Sequence, residues 1–291
     1  MSFEKVNPNH PDKVADRIAG AIVDLAYKKQ DNPKIAVEVL IGHGNCTIIA
    51  ESSVHLEHGD VLSIVDRITG AKTIDKPRWI DVEYLEVPQD PELAKNQAER
   101  IKCGDNGIFK GVQTSQEERD LRKLVRGLYV KWPTDGKFIY DKKAGTVIAC
   151  QSNASSTEVA MAINEAIGGA GKIIVNPLGD WTGGTNVDTG ATNRKLGSDM
   201  GRAVTGGGLH GKDLSKADVS VNIVCYLLAQ LYCTTVDAFC AIGDEEITFT
   251  LHRTGKETVE RVISYAEVVE MARNYIYELG GFEKLAEWGL I

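Results

Sequence analysis

The sequence predicts an α+β fold made of three similar units, each a small mixed or antiparallel sheet with helices on one face. Three observations carry this reading: short alternating strands joined by glycine turns, amphipathic helices between them, and one order of elements that recurs along the 291 residues. Hydrophobic residues make up 43% of the chain, ample for packed cores. The expected boundaries are 1–104, 105–175 and 176–291.

The first unit opens with a helix over Asp12–Tyr27, which puts Val14, Ile18, Ile22 and Leu25 on one face. Ile35, Val37, Val39 and Ile41 then alternate with Ala36, Glu38 and Leu40, and Cys46–Glu51 returns after the turn Gly42-His43-Gly44-Asn45, so the two strands form a hairpin. Val61, Ile64, Val65 and Ile68 give a second helix that stops at Gly70, and Ile80–Val87 gives a third strand. The second unit repeats this order, with a helix over Glu117–Tyr129, strands Phe138–Tyr140 and Thr146–Gln151, a helix over Ser156–Ile167 and a strand over Lys172–Val175. The third has a helix over Ser215–Tyr232, strands Val236–Ile242 and Glu246–Leu251, and a helix over Tyr265–Leu279. One sheet face per unit is left over. The three faces could close on one another about a pseudo-threefold axis or on a second chain, and alternating strands such as Ile35–Ile41 leave an apolar face for either.

A net charge of −8 argues against a general nucleic-acid surface, so a basic cluster in this acidic chain points to a local site and favours a small anionic ligand. No apolar stretch is long enough to span a membrane and no leader pattern opens the chain; a cytoplasmic location is expected. The six cysteines have no Cys-x-x-Cys spacing, which argues against zinc or a redox pair and for reduced thiols in the core.

Such a basic cluster lies between Asn176 and Lys216, where glycines crowd around Asp188, Arg194, Lys195 and Lys212 with almost no long apolar run. Glycine lets backbone N–H groups approach a ligand, and Arg and Lys neutralise phosphate oxygens, so this composition points to a polyphosphate. Gly206–Lys212 nearly matches a phosphate loop but carries Asp213 in place of the Mg²⁺-binding hydroxyl and lacks a preceding strand, so the chemistry is retained and the P-loop fold rejected. His10-Pro11-Asp12-Lys13 stands where a loop enters the first helix, a place where helix N–H groups favour anions and a carboxylate such as Asp12 can hold Mg²⁺. Glu38, Glu51, Asp105, Asp188 and Asp218 are carboxylates with few apolar neighbours, and Glu38 and Glu51 sit on paired strands.

With these residues in view, the chain resembles the S-adenosylmethionine synthetases, or methionine adenosyltransferases. Their Gly-His-Pro-Asp-Lys signature is similar to Asn9–Lys13, with the upstream acidic residue matched by Glu4, and their Gly-Ala-Gly-Asp-Gln-Gly motif is similar to Lys102–Gly107. Asn-Pro-Thr-Gly, Gly-Asp, Gly-Arg-Lys and Gly-Gly-Gly-Ala-Phe-Ser-Gly-Lys-Asp follow in order, at Asn176–Gly179, Val187-Asp188, Asn193–Lys195 and Gly206–Asp213. The resemblance implies the family's three α+β domains about a pseudo-threefold axis, working as homodimers or tetramers of dimers, with methionine-side and triphosphate-side residues drawn from different chains. It implies that methionine sulfur attacks C5′ of ATP, and that the displaced tripolyphosphate is cleaved to pyrophosphate and phosphate with Mg²⁺, two ions in all, and K⁺ as cofactors. By the same resemblance His10, Lys137, Arg194 and Lys212 are the catalytic cations and donors, and Asp135, Trp181, Asp188 and Lys195 complete the ATP site. Glu51, Gln89, Asp105, Asp188 and Lys216 face methionine, with Asp105 coming from the partner chain, Asp12 holds Mg²⁺ and Glu38 holds K⁺.

The chain departs from the pattern in several places. Asn9 replaces a glycine, Asp180-Trp181 replace Arg-Phe beside the nucleotide, and Leu209-His210 stand for Ala-Phe-Ser with one residue lost. Two rival readings remain: the same fold acting on another thioether or nucleotide, or a non-catalytic nucleotide-binding subunit. The joint presence of His10, Asp12, Lys137, Arg194, Lys195 and Lys212 speaks against the second.

Overall fold

The computed structural model describes residues 2–70, 80–97, 99–169, 171–252 and 258–291. In chain order its elements are β1 (Ser2–Val6), α1 (Pro11–Lys29), β2 (Ile35–Gly42), β3 (Asn45–Ser52), α2 (His58–Thr69), β4 (Asp81–Pro88), α3 (Pro91–Asn96), β5 (Gly107–Gly111), α4 (Gln116–Lys131), β6 (Gly136–Asp141) and β7 (Thr146–Gln151). They continue with α5 (Ser156–Ala166), β8 (Lys172–Val175), β9 (Thr189–Ala191), α6 (Leu196–Met200), α7 (Ala217–Tyr232), β10 (Thr235–Cys240), β11 (Glu246–His252), β12 (Val259–Ser264), α8 (Tyr265–Leu279) and α9 (Phe282–Trp288). The helices and strands expected from sequence are all present, their ends displaced by no more than two residues.

The described strands form three four-stranded sheets, ordered β4-β3-β2-β9, β1-β6-β7-β8 and β12-β11-β10-β5. In the first two, an antiparallel hairpin is flanked by an antiparallel edge strand and by a parallel strand reached through a crossover helix, α2 or α5. The third is antiparallel throughout. The sheets do not follow the linear order of the chain. β1 completes the β6-β7-β8 sheet, β5 completes the β10–β12 sheet and β9 completes the sheet of β2–β4.

Burial follows the alternation. Ile35, Val37, Val39 and Ile41 are covered by α1 and join the main core, whereas the second sheet has its own core of Leu121, Val125, Leu128, Phe138, Val159 and Ile163 under α4 and α5. The apolar face expected to await a partner on β2 is therefore already filled, because the helix that precedes the strand needs that stripe for its own Ile18 and Ile22. The opposite face is the open one. Leu40, Ile49 and Leu85 are about half exposed there, and on the third sheet Ile108 and Phe239 are exposed at 78% and 75%.

Candidate active site

α1 starts where the expected anion site lies. His10 is its N-cap, its Nδ1 accepting from Asp12 N–H at 3.2 Å, and Pro11 fills the first turn. Asp12 is buried: Oδ1 accepts from Ala191 N–H at 2.9 Å, Oδ2 from Lys195 Nζ at 2.6 Å, and Arg194 stands 3.7 Å away. Burial opposes the Asp12 charge, but the Lys195 ammonium and the Ala191 N–H outweigh it and hold the carboxyl below its ordinary range. Burial pushes His10 down to about 4, helped by Lys195 and Lys137. The ring is thus neutral at pH 7, and because Nδ1 is an acceptor its proton sits on Nε2, available to a phosphate oxygen.

β9 brings Ala191 to this point by lying directly on the start of α1. A Cβ at Gly190 would stand 2.0 Å from Pro11 O, so only glycine allows that approach. From the neighbouring sheet come Lys137, paired with Glu4 at 2.9 Å, and Asp135, whose Oδ2 accepts from Gly184 N–H at 3.0 Å. Burial lifts the Asp135 carboxyl to about 6, with Asp188 and Asp12 adding to the effect. Trp181 and Asp135 flank Gly183, and the indole N–H bonds Asn176 at 3.1 Å. Asp180 turns away and accepts from the Ser156 N–H at the start of α5, so the family's Arg is replaced here by a helix cap. The first group thus comprises His10, Asp12, Asp135, Lys137, Trp181, Asp188, Arg194 and Lys195.

A second group forms at the other end of β2. Residues 211–213 run along that strand, with Val37 N–H to Gly211 O at 2.6 Å, and Lys212 makes a bridge to Ala36, the residue that also pairs with Glu51. Lys212 and Glu51 therefore share one row of the open face. Lys212 is salt-bridged to Asp218, and Lys216 lies 3.9 Å from Asp105. Burial raises the Asp105 pKa, with Asp218 adding to it against Lys216; its Oδ2 has no hydrogen-bond partner among the described residues. Gln89 Nε2, just past β4, is buried and equally unpartnered. A buried polar atom without a partner is costly, and a polar ligand here would satisfy these two. Glu38 lies between the groups on the same face, accepting from the Thr192 hydroxyl. The groups are separated by the four residues from Ala36 to Leu40, roughly 13 Å of strand. Lys212 and Glu51 thus stand on one chain, each paired with Ala36.

Sequence reasoning missed a buried ionic cluster behind the first group. Lys13 Nζ stands 2.6 Å from Asp199, 3.1 Å from Asp16 and 3.3 Å from His210 Nε2. The i, i+3 spacing of Lys13 and Asp16 on α1 was its only sequence signal. Asp16, Asp199 and His210 would suit a cation, but the ammonium fills their centre.

For Mg²⁺, the donor chemistry fits: Asp12 and Asp218 are hard carboxylates, one in each group, and Mg²⁺ is ordinarily held by one or two carboxylates together with water and phosphate oxygens. For K⁺, Glu38 and Thr192 supply an exposed carboxylate and a hydroxyl.

The comparisons with known proteins bear on the family of the chain. A family model described as "S-adenosylmethionine synthetase, N-terminal domain" matches residues 1–75. The S-adenosylmethionine synthase of Mycoplasma mycoides is 30% identical over 79% of this chain and 72% of its own length, and that of Maridesulfovibrio salexigens is 29% identical over 96% of this chain and 87% of its own. Among solved structures, an S-adenosylmethionine synthetase from Campylobacter jejuni described as unusual covers 100% of the chain and 94% of its own with a TM-score of 0.79; at 21% identity it speaks for the fold alone. Relatives alike over most of both lengths, an N-terminal model match and the same motifs in order lead to one conclusion: the chain belongs to the S-adenosylmethionine synthase family.

Proposed function

We propose that this protein makes S-adenosylmethionine from ATP and L-methionine. The observation that carries the reading is the convergence at the start of α1 of a neutral His10, the cations Lys137, Arg194 and Lys195, and a carboxylate suited to Mg²⁺. The sulfur lone pair attacks C5′, the C5′–O bond breaks, and the electron pair leaves with the tripolyphosphate. Sulfur has no proton to lose, so no general base is needed and catalysis rests on in-line placement and on stabilising about four negative charges. Lys137, Arg194 and Lys195 neutralise the leaving group, and His10 Nε2–H donates to one of its oxygens. Asp12 and Asp218 are the carboxylates that would hold Mg²⁺, which would supply further charge neutralisation.

Glu51 offers a carboxylate to the methionine ammonium, and Asp105 and Gln89 have polar atoms to spare. The active centre is proposed to join the first group of one copy to the second group of another across the open sheet faces in a homodimer. The test is to incubate the purified protein with ATP, methionine, Mg²⁺ and K⁺ and to look for S-adenosylmethionine and pyrophosphate by mass spectrometry and phosphorus NMR. Both products are expected; intact ATP after prolonged incubation with folded protein sinks the reading.

A further inference from the structure

Two departures of this chain from its family's motifs meet in space. Asn193 stands where Gly-Arg-Lys begins and His210 where Ala-Phe-Ser is shortened, and the two clamp each other: His210 N–H donates to Asn193 Oδ1 at 2.9 Å, and Asn193 Nδ2 donates to His210 O at 3.1 Å. We propose that Asn193 and His210 are positioning residues, which close a ring with Lys13, Asp16 and Asp199 and so hold the loop of Arg194 and Lys195 in register with the loop of Lys212. The ring is continuous. Asn193 N–H donates to Asp16 Oδ1 at 2.8 Å, Lys13 joins Asp16 to Asp199, and Asp199 Oδ2 meets His210 Nε2 at 2.9 Å.

Apart from Asn193 its members are almost wholly buried. Buried ion pairs stabilise weakly, since desolvation consumes most of the Coulombic gain; what such a network supplies is a fixed arrangement. Here the arrangement fixes two loops that carry cations. Asn193 begins Asn193-Arg194-Lys195, and His210 lies two residues before Lys212. The backbone allows little slack, because a Cβ at Gly208 would stand 2.5 Å from the Asn193 side chain and one at Gly211 2.3 Å from Val37 O.

This inference rests on the functional reading above, and its test uses inorganic tripolyphosphate with Mg²⁺ as the probe, titrated calorimetrically into the full chain. Asn193 has a φ of 62°, so Asn193→Gly removes the clamp while keeping a backbone that glycine readily adopts. Asn193→Gly and His210→Ala are each expected to weaken tripolyphosphate binding about tenfold, and the double variant by no more than either single one, because both break the same ring. His210→Gln, which can still reach Asp199, is expected to recover most of the affinity. A purely structural role would lower the melting temperature and leave affinity in the folded range unchanged, and that result overturns the proposal. So do effects that multiply in the double variant. If His210→Ala does not fold, Asn193→Gly alone decides: parental affinity overturns the inference and tenfold weakening supports it. A parent that binds no tripolyphosphate overturns the functional reading and this inference with it, whereas a parent that binds alongside unaffected variants overturns this inference alone.

Discussion

His10 and Asp135 titrate in opposite senses within one cradle, and the pH dependence of stability should show it. His10 falls to about 4 through burial and the Lys195 and Lys137 charges, so between about 4 and its unfolded value the unfolded chain binds more protons. Its contribution is present above the unfolded pKa and is lost as pH falls through 4. Asp135 rises to about 6 through burial, so the native state binds more protons between its unfolded value and 6. Its contribution is present at low pH and is lost as pH rises through 6. The windows overlap and the slopes oppose, each worth at most about 3 kcal/mol at 1.36 kcal/mol per pKa unit. Relative to the parent, Asp135→Asn should therefore gain stability as pH rises from 4 to 6, and His10→Gln should lose it over the same range. Urea unfolding at a series of pH values measures both differences; parallel profiles for parent and variants would rule out these two shifts. Tripolyphosphate should also raise the His10 pKa, since a highly charged anion beside the ring favours its protonated form.

Among the elements, the short edge strands determine where the site residues meet. β9 has three residues, yet it carries Ala191 to Asp12 and leads into Asn193–Lys195. Adding a methyl group at Gly190 would force β9 off α1, because the new Cβ falls 2.0 Å from Pro11 O and 2.5 Å from Asp12 N. Gly190→Ala is expected to cost about 1–3 kcal/mol, the usual range for overpacking, and to cut kcat along with stability, because the Asp12 partners move. Unchanged unfolding in urea would show that β9 can shift freely. The same strands mark the limit of what the sequence made legible. β2, β3, β6, β7, β10 and β11 were readable because their alternating residues face a core, and α1, α4, α5, α7 and α8 because their apolar stripes do. β1, β5, β9 and β12 were not anticipated, and every one is an edge strand. An edge strand is short or half-wet, and β1, β5 and β9 pair with sequence-distant hairpins, so local periodicity says little about them. The motifs named the candidate residues one by one. Their gathering into two groups was not legible, because that depends on how residues 211–213 lie along β2.

At the scale of the whole molecule, the open faces of the sheets and the two separated groups bear on one question, whether an active centre needs two copies of the chain. Leu40, Ile49 and Leu85 leave apolar surface on the face that also displays Glu38, Glu51 and Lys212, and Ile108 and Phe239 leave more on the third sheet. An interface there would cover the apolar rows and bring the second group of one copy to the first group of its neighbour. Lys195→Met, in the first group, and Lys212→Met, in the second, should each lower kcat by roughly 10²-fold or more, the scale for losing one preorganised charge contact. Mixed under conditions that exchange subunits, these two variants form hybrids in which one centre combines two intact groups and the other combines two damaged ones. Random pairing makes half the dimers hybrid, so about a quarter of parental activity should return. Mixing Lys212→Met with Glu51→Gln provides the contrast. Both residues lie on the row through Ala36, so every hybrid centre receives one damaged second group and activity should stay near zero. Recovery in the first mixture and none in the second is the signature of a shared centre divided as described. Recovery in both would place Glu51 and Lys212 in different groups. No recovery in the first despite verified exchange, or an active monomer by light scattering, would mean that one chain builds the whole site.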